Sequence, residues 1–424
     1  MYRWFAVVYA GVMSLRWLIV PVCLLLTACG GGGGSPAEAT SNTSSPPAVT
    51  VVQDVTPIQF SVDSDFIYKN GERFDVRGVV YVPGEPGYLP WEIETAASLP
   101  TDVRTRIERD LSGIQVMGAN TVRLWGAPAY SYEVIRSLGD LNILQTIWFD
   151  GHVPDFQDDA FKTECREYIR AVVDRVYAAY PDNNPPIVAF LVGNELSEAG
   201  IRSTNAAHPG ITSFTGNYFA ADGINASEAF IAEMADYLRT YESENYGRTS
   251  LISYANEIRT IDLIDTPFLD FRAQNAYSYA VPFYRPGTMA GSASGTLFQG
   301  WVEELKVMHP GVPLLITETG LSVSPNATNQ GPPNYGYGGN TEDEQAAGLM
   351  QNLADVDSAA VAIAGATVHE YLDAWWKFGL EDSLSQDPND IEEWFGIVRL
   401  VPDGGAYSTE ARPAYNALRD AWQR

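Results

Sequence analysis

Short, nearly continuous apolar runs recur along the chain, and between most of them apolar residues return every three or four positions. The clearest run is Ile187 to Val192 in PPIVAFLVGNE, bounded by two prolines at one end and by Gly193-Asn194-Glu195 at the other. A run this short and this rich in branched or aromatic residues predicts a strand buried on both faces, as in a parallel sheet. Similar runs at 76–81, 119–125, 143–149, 249–255, 268–277, 312–318 and 361–371 predict seven more strands. The intervening pattern has helical period. Val103, Ile107, Leu111, Ile114 and Met117 form one stripe, and Phe161, Cys165, Ile169, Val172 and Val176 another. Further helices are predicted near 132–138, 227–241 and 297–308, and behind the Thr341–Glu344 capping box.

Eight buried strands alternating with helices predict an α/β fold, a single (β/α)8 TIM barrel over residues 56–424. Two polar stretches, 197–226 after the fourth strand and 319–340 after the seventh, exceed ordinary connections and are read as functional loops. Ahead of the first strand, FIYKNGERFDV carries Asn70-Gly71, a strong hairpin signal.

The N-terminus departs from this pattern. Arg3 and Arg16 precede an apolar stretch that ends in Leu26-Thr27-Ala28-Cys29. A basic region, a short apolar core and small residues define an export signal over 1–28. LTAC-G resembles the bacterial lipoprotein box. That resemblance implies a lipidated Cys29 and, with Gly30 in place of aspartate, a lipid anchor in the outer membrane of a Gram-negative bacterium, facing the periplasm or the surface. Residues 29–55, rich in Gly, Ser, Pro and Thr, read as a flexible tether. Removing the signal removes Cys23, so Cys165 has no partner and no disulfide framework is expected. Its place on the helical stripe makes it a core residue.

Composition excludes some classes. Lys and Arg number 26 against 53 Asp and Glu, a formal charge of −27, which argues against a nucleic-acid partner. The four histidines show no ligand spacing, and no Gly-rich phosphate loop, nicotinamide fingerprint or serine nucleophile elbow appears, so no metal or cofactor is expected. Nothing in the sequence fixes an oligomeric state.

The chemistry-bearing residues fall at strand ends. Glu195 follows the fourth strand and Glu318 closes the seventh, so both carboxylates are expected at the barrel mouth, where such folds keep their active sites. Two carboxyl groups with separated pKa values are what glycosidic cleavage needs, one protonated and one ionised. A second Asn-Glu pair, Asn256-Glu257, ends the fifth strand, and an ion-pair or capping role is expected for Glu257.

GNE and ITETG at these strands resemble clan A glycoside hydrolases, the retaining (β/α)8 group that includes families 2, 5, 17 and 72. KNGERFDVRGVVY, ANTVRLWG, QNAYSY and HEYLDAWWK extend the likeness over most of the chain. The resemblance implies Glu195 as general acid/base, Glu318 as nucleophile, Arg123 and Tyr277 as its supports, and Asn194 on the sugar 2-hydroxyl. It implies an aromatic platform at Trp375 or Trp376 and hydroxyl contacts from Glu370 or Asp373. His152, just after the third strand, is a subsite candidate. The histidine pattern usual in family 5 is not evident, which leaves the family open. A retaining enzyme is expected to hold the carboxyl groups about 5–5.5 Å apart. Aromatic residues near strand ends (Trp125, Trp148, Tyr335, Tyr337) and the two long loops suit a β-linked glycan, a β-glucan or mannan. The alternatives are a β-glucan transglycosylase using the same glutamates and a surface glycan-binding lipoprotein without catalysis.

Overall fold

In a computed structural model of the protein, residues 57–423 are described, apart from 85, 289–290, 292, 328–334, 378–383 and 404–405. The signal segment, the tether and Cys29 lie outside the described residues, as does the middle of the stretch after the seventh strand.

Eight parallel strands close into a barrel: β1 (Val76–Tyr81), β2 (Thr121–Leu124), β3 (Asn142–Ile147), β4 (Ile187–Asn194), β5 (Leu251–Asn256), β6 (Arg272–Asn275), β7 (Leu314–Thr319) and β8 (Gly365–Val368). β8 pairs with β1, Gly365 opposite Val76, which completes the ring. The expected fold and strand count are both present. The strands are shorter than several of the apolar runs that announced them. Leu269 and Phe271 precede β6 and are buried although neither belongs to it. Apolar length in such runs reports burial of the adjoining turn as well as of the strand.

The predicted stripes face the barrel. In helix Thr101–Val116, Val103, Ile107, Leu111 and Ile114 are buried, and in Asp159–Ala178 so are Phe161, Cys165, Ile169, Val172 and Val176. Cys165 is a free core thiol, and burial raises its pKa. The capping box at Thr341 forms, its side chain accepting from the Glu344 amide.

Before β1 stands a three-stranded antiparallel sheet, Phe60–Val62, Ile67–Lys69 and Glu72–Arg73. Asn70 and Gly71 form its turn, both at positive φ. Phe60 and Ile67 pack with Val76, Leu251, Phe271 and Ala364, residues at or just before the first positions of their strands. The sheet therefore covers the N-terminal end of the barrel, and each large side chain so buried contributes roughly 1.5–3 kcal/mol. The opposite end stays available for chemistry.

The stretch after β4 is more ordered than its polar sequence suggests. It contains helix Glu198–Ala207 and a hairpin, Ser213–Thr215 with Ala220–Asp222. The Asp236 carboxylate accepts from the amides of Asn217, Tyr218 and Phe219 and holds the hairpin turn. Hydrogen bonds to one carboxylate leave no hydrophobic period to read. A C-terminal hairpin (Val398–Asp403 with Ala406–Ala411) and helix Pro413–Trp422 complete the fold. Among the described residues no helix is long and apolar enough to cross a membrane.

Candidate active site

The C-terminal strand ends carry a connected polar network. Its centre is Arg123 in β2, fully buried. Its Nε donates to Thr146 Oγ1 (3.1 Å), and its Nη1 to the Thr317 carbonyl (2.6 Å), Glu318 Oε1 (2.8 Å) and Asn275 Oδ1 (3.2 Å). Its Nη2 donates to Asn194 Oδ1 at 2.7 Å. One planar guanidinium thus ties β2 to β3, β4, β6 and β7, which a point-charge ammonium could not do.

Glu318 is held from a second side by Tyr277, whose hydroxyl donates to Oε2 at 2.6 Å. Burial raises the Glu318 pKa, and Arg123, Tyr277 and Lys377 oppose that rise by stabilising the anion. Glu195 sits differently. Gly193 has φ +90° and Glu195 itself φ +47°, so the chain turns sharply as it leaves β4. A Cβ on Gly193 would meet nothing closer than 3.4 Å, so the backbone angle, not space, requires glycine there. A left-handed glutamate is uncommon and such residues gather at functional sites.

The Glu195 side chain keeps some exposure toward the mouth and accepts from Asn275 Nδ2 at 2.8 Å. Desolvation pushes its pKa well above the ordinary range, with Glu257 and Glu318 adding in the same direction and Asn275 opposing. The site therefore treats its two carboxyls unequally. Glu318 has cationic and phenolic donors, whereas Glu195 has an amide and two like charges. That asymmetry separates a proton donor from an anion.

The other expected site residues divide. Asn194 and Asn275 are joined, Nδ2 of Asn275 donating to Asn194 Oδ1 at 3.1 Å. His152 is exposed on the loop after β3, and neighbouring Gly151 lies against the backbone of Glu195 and Leu196. Glu370 is buried and paired with Lys377 Nζ at 2.7 Å, and burial lifts its pKa to about 7. Of the two tryptophans, Trp375 lies in the core with its ring edge-on to Tyr407, while Trp376 is half-buried near Trp91. Asp373 is buried in a two-point ion pair with Arg412, at 2.6 and 2.8 Å, and its Oδ1 also accepts from the Gly396 amide at 3.1 Å.

Several members of the site were not singled out from sequence. Asn275, Lys377 and His369 lie within quoted motifs, but no pattern separates them from their neighbours. Trp125 packs on Trp148 and stacks with His369, and Tyr277, Tyr279, Tyr337 and Phe395 continue the aromatic wall. Tyr335 lies on the stretch after β7, as expected, and packs into the core. Glu257 forms the expected ion pair, with Arg259 Nε at 2.5 Å, yet its charge also reaches Glu195. Among the described residues no group of three or more His, Cys, Asp or Glu is placed to hold a metal ion.

Comparisons with known proteins agree with this architecture. No protein-family profile matches the chain. Over 293 residues it is 24% identical to the 1,3-beta-glucanosyltransferase gel1 of Aspergillus fumigatus, covering 66% of this chain and 55% of gel1. The chain thus spans about half the length of that relative. Among solved structures, a GH2 beta-galacturonidase from Eisenbergiella tayi bound to galacturonate superposes with a TM-score of 0.56 and 15% identity, over 86% of this chain and 54% of that one. The Ruminococcus gnavus beta-glucuronidase gives 0.56 at 14% identity, over 86% and 53%. The chain is a glycoside-hydrolase-like (β/α)8 barrel, similar in fold to these two enzymes and in sequence to a 1,3-beta-glucanosyltransferase.

Proposed function

We propose that the protein is a retaining glycosidase acting on a β-linked glucan or mannan by double displacement. The observation that carries this reading is the unequal support of the two carboxyls. Glu318, held as an anion by Arg123 and Tyr277, attacks the anomeric carbon. The bond to the leaving oxygen breaks as Glu195 gives that oxygen its proton, and a glycosyl ester forms on Glu318. Glu195, now ionised, takes a proton from the incoming hydroxyl, whose oxygen displaces Glu318. Asn194 has its Oδ1 engaged by Arg123 and Asn275, so its amide donors are left for the sugar 2-hydroxyl. The structured insertion after β4 and the aromatic wall favour a chain over a monosaccharide.

A second reading differs only in the incoming group. If a sugar hydroxyl replaces water, the same site is a β-1,3-glucan transglycosylase, and the likeness to gel1 favours it. Product analysis on β-1,3-glucan, mixed-linkage glucan and mannan tests both. Products longer than the donor indicate transfer, and retained anomeric configuration by NMR supports the covalent route. If Glu318→Ala and Glu195→Gln keep full activity on every glycan the enzyme cleaves, the mechanism is wrong.

The proposal includes export as a lipoprotein: residues 1–28 removed, Cys29 acylated, 29–55 a tether, and the domain from 56 onward held at the outer membrane. Metabolic labelling with an alkyne palmitate checks this. Label that persists in Cys29→Ser would exclude that site.

A further inference from the structure

His369 immediately follows β8 and is 2% exposed. Its amide donates to the Thr319 carbonyl at 2.8 Å. A Cβ on Gly320 would lie 2.1 Å from its carbonyl oxygen, so the two strand ends are pressed together and the ring has a fixed place beside Glu318. Trp125 stacks on one face at 5.4 Å between centroids, and Phe395 meets the ring edge-on at 5.2 Å.

The two ring nitrogens face different partners. Nε2 lies 3.1 Å from Lys377 Nζ, and Nδ1 lies 3.7 Å from Glu318 Oε2 with no hydrogen-bond partner. An ammonium can only donate, so a proton on Nε2 would point directly at another N–H. Glu370 Oε1, the other group near Nε2, is farther at 3.5 Å and already accepts from Lys377. The neutral ring therefore carries its hydrogen on Nδ1. Burial lowers its pKa far below the usual value, and Lys377 and Arg123 add to that effect. Lys377 remains the charged partner: burial alone would lower its pKa, but Glu370 and Glu392 outweigh that and raise it.

We propose that Lys377 fixes His369 as the neutral Nδ1–H tautomer and that this N–H, beside the nucleophile, recognises a sugar hydroxyl. Nδ1 and Oε2, 3.7 Å apart, are close enough to share one hydroxyl lying to the side of the line between them, which accepts from Nδ1 while donating to Glu318 Oε2. A buried donor left unmatched costs roughly as much as a lost hydrogen bond, so the site favours a ligand that matches it. His369 contacts substrate in this reading, and Lys377 acts through it as a positioning residue. The inference rests on Glu318 as nucleophile for its catalytic consequence, but the tautomer stands on geometry alone.

Two measurements separate these layers. Long-range 1H–15N correlation spectra of the full chain with 15N-histidine, assigned with His369→Asn, are expected to show Nδ1 protonated, Nε2 bare and no titration from about pH 5 to 8. The groups facing the ring are Lys377, Glu370, Glu318, Arg123 and Tyr277. An Nε2–H ring, or one that titrates in that range, overturns the proposal. In kinetics, His369→Asn keeps an amide donor near the Nδ1 position, and His369→Gln places it near Nε2. His369→Gln is expected to lower kcat/KM about 10- to 100-fold, with His369→Asn recovering most of it. Equal loss in both variants overturns hydroxyl recognition. A chain inactive on all glycans overturns the glycosidase reading while the spectrum still decides the tautomer.

Discussion

Asn194-Glu195 and Asn256-Glu257 are the same dipeptide at the ends of adjacent strands, and the barrel uses them differently. The Asn194 carbonyl oxygen accepts from Arg123 and Asn275, both reaching it from other strands. The Asn256 side chain stays local: Oδ1 accepts from the Glu257 amide and from Thr260 Oγ1, and Nδ2 donates to the Ile264 carbonyl. It shapes the turn after β5. Glu195 accepts from Asn275 of β6, whereas Glu257 pairs with Arg259 two residues along. What separates a candidate acid from an ion-paired carboxylate is therefore supplied by distant strands. The two dipeptides are identical in sequence, and of the two glutamates Glu195 stands at positive φ while Glu257 does not.

The strongest test of that contrast replaces each glutamate. Glu195→Gln is expected to lower kcat/KM by about 10²- to 10⁴-fold on a poor leaving group, and much less on an activated aryl glycoside, which needs no proton. Glu318→Ala loses activity on both substrates. Glu257→Gln is expected to change either rate by less than about 10-fold, because no transfer passes through it. Were Glu257→Gln the variant rescued by the activated substrate, the two dipeptides would have to exchange roles.

Replacing the asparagines sharpens the contrast at a smaller scale. Asn194→Ala removes a sugar donor and leaves buried donors of Arg123 and Asn275 unmatched, so kcat/KM is expected to fall about 10²-fold and stability by about 1–3 kcal/mol together. Asn256→Ala should spare activity. It strands the Ile264 carbonyl and Thr260 Oγ1, a loss of about 1–3 kcal/mol in denaturant unfolding, with kcat held within a few-fold. Activity and stability measured on both variants decide the point.

This contrast also explains how much the sequence could tell. Strand positions were legible because burial on two faces writes continuous apolar runs, and Glu195 and Glu318 were legible because each ends such a run. Arg123 and Tyr277 came from motif likeness, and the network confirms their contact with Glu318. Asn275 and His369 were hidden, since an inward position beside Glu195 or Glu318 leaves no local period. The aromatic signal at 375–376 could not say which ring turns inward. Trp375 packs on Tyr407, in a hairpin whose sequence lacks a long apolar run. The order in the stretch after β4 was invisible for a related reason, as it depends on three amides converging on Asp236.

The smallest expected effect is a shift in pH dependence. Glu257 does not touch the reacting atoms in this scheme, but its charge raises the Glu195 pKa, second only to burial. The acid form of Glu195 is needed for the first step, so activity falls as pH rises through its pKa in the free enzyme. Glu257→Gln removes a neighbouring negative charge, which makes the Glu195 anion less unfavourable and lowers that pKa. The alkaline limb of the kcat/KM profile should then move to lower pH. Arg259→Gln removes a positive charge that favours the Glu195 anion, so while Glu257 stays ionised the limb should move the other way, to higher pH. A limb that stays in place in Glu257→Gln would show that the fifth-strand carboxylate is electrostatically isolated from the acid, and the second Asn-Glu pair would then be structural alone.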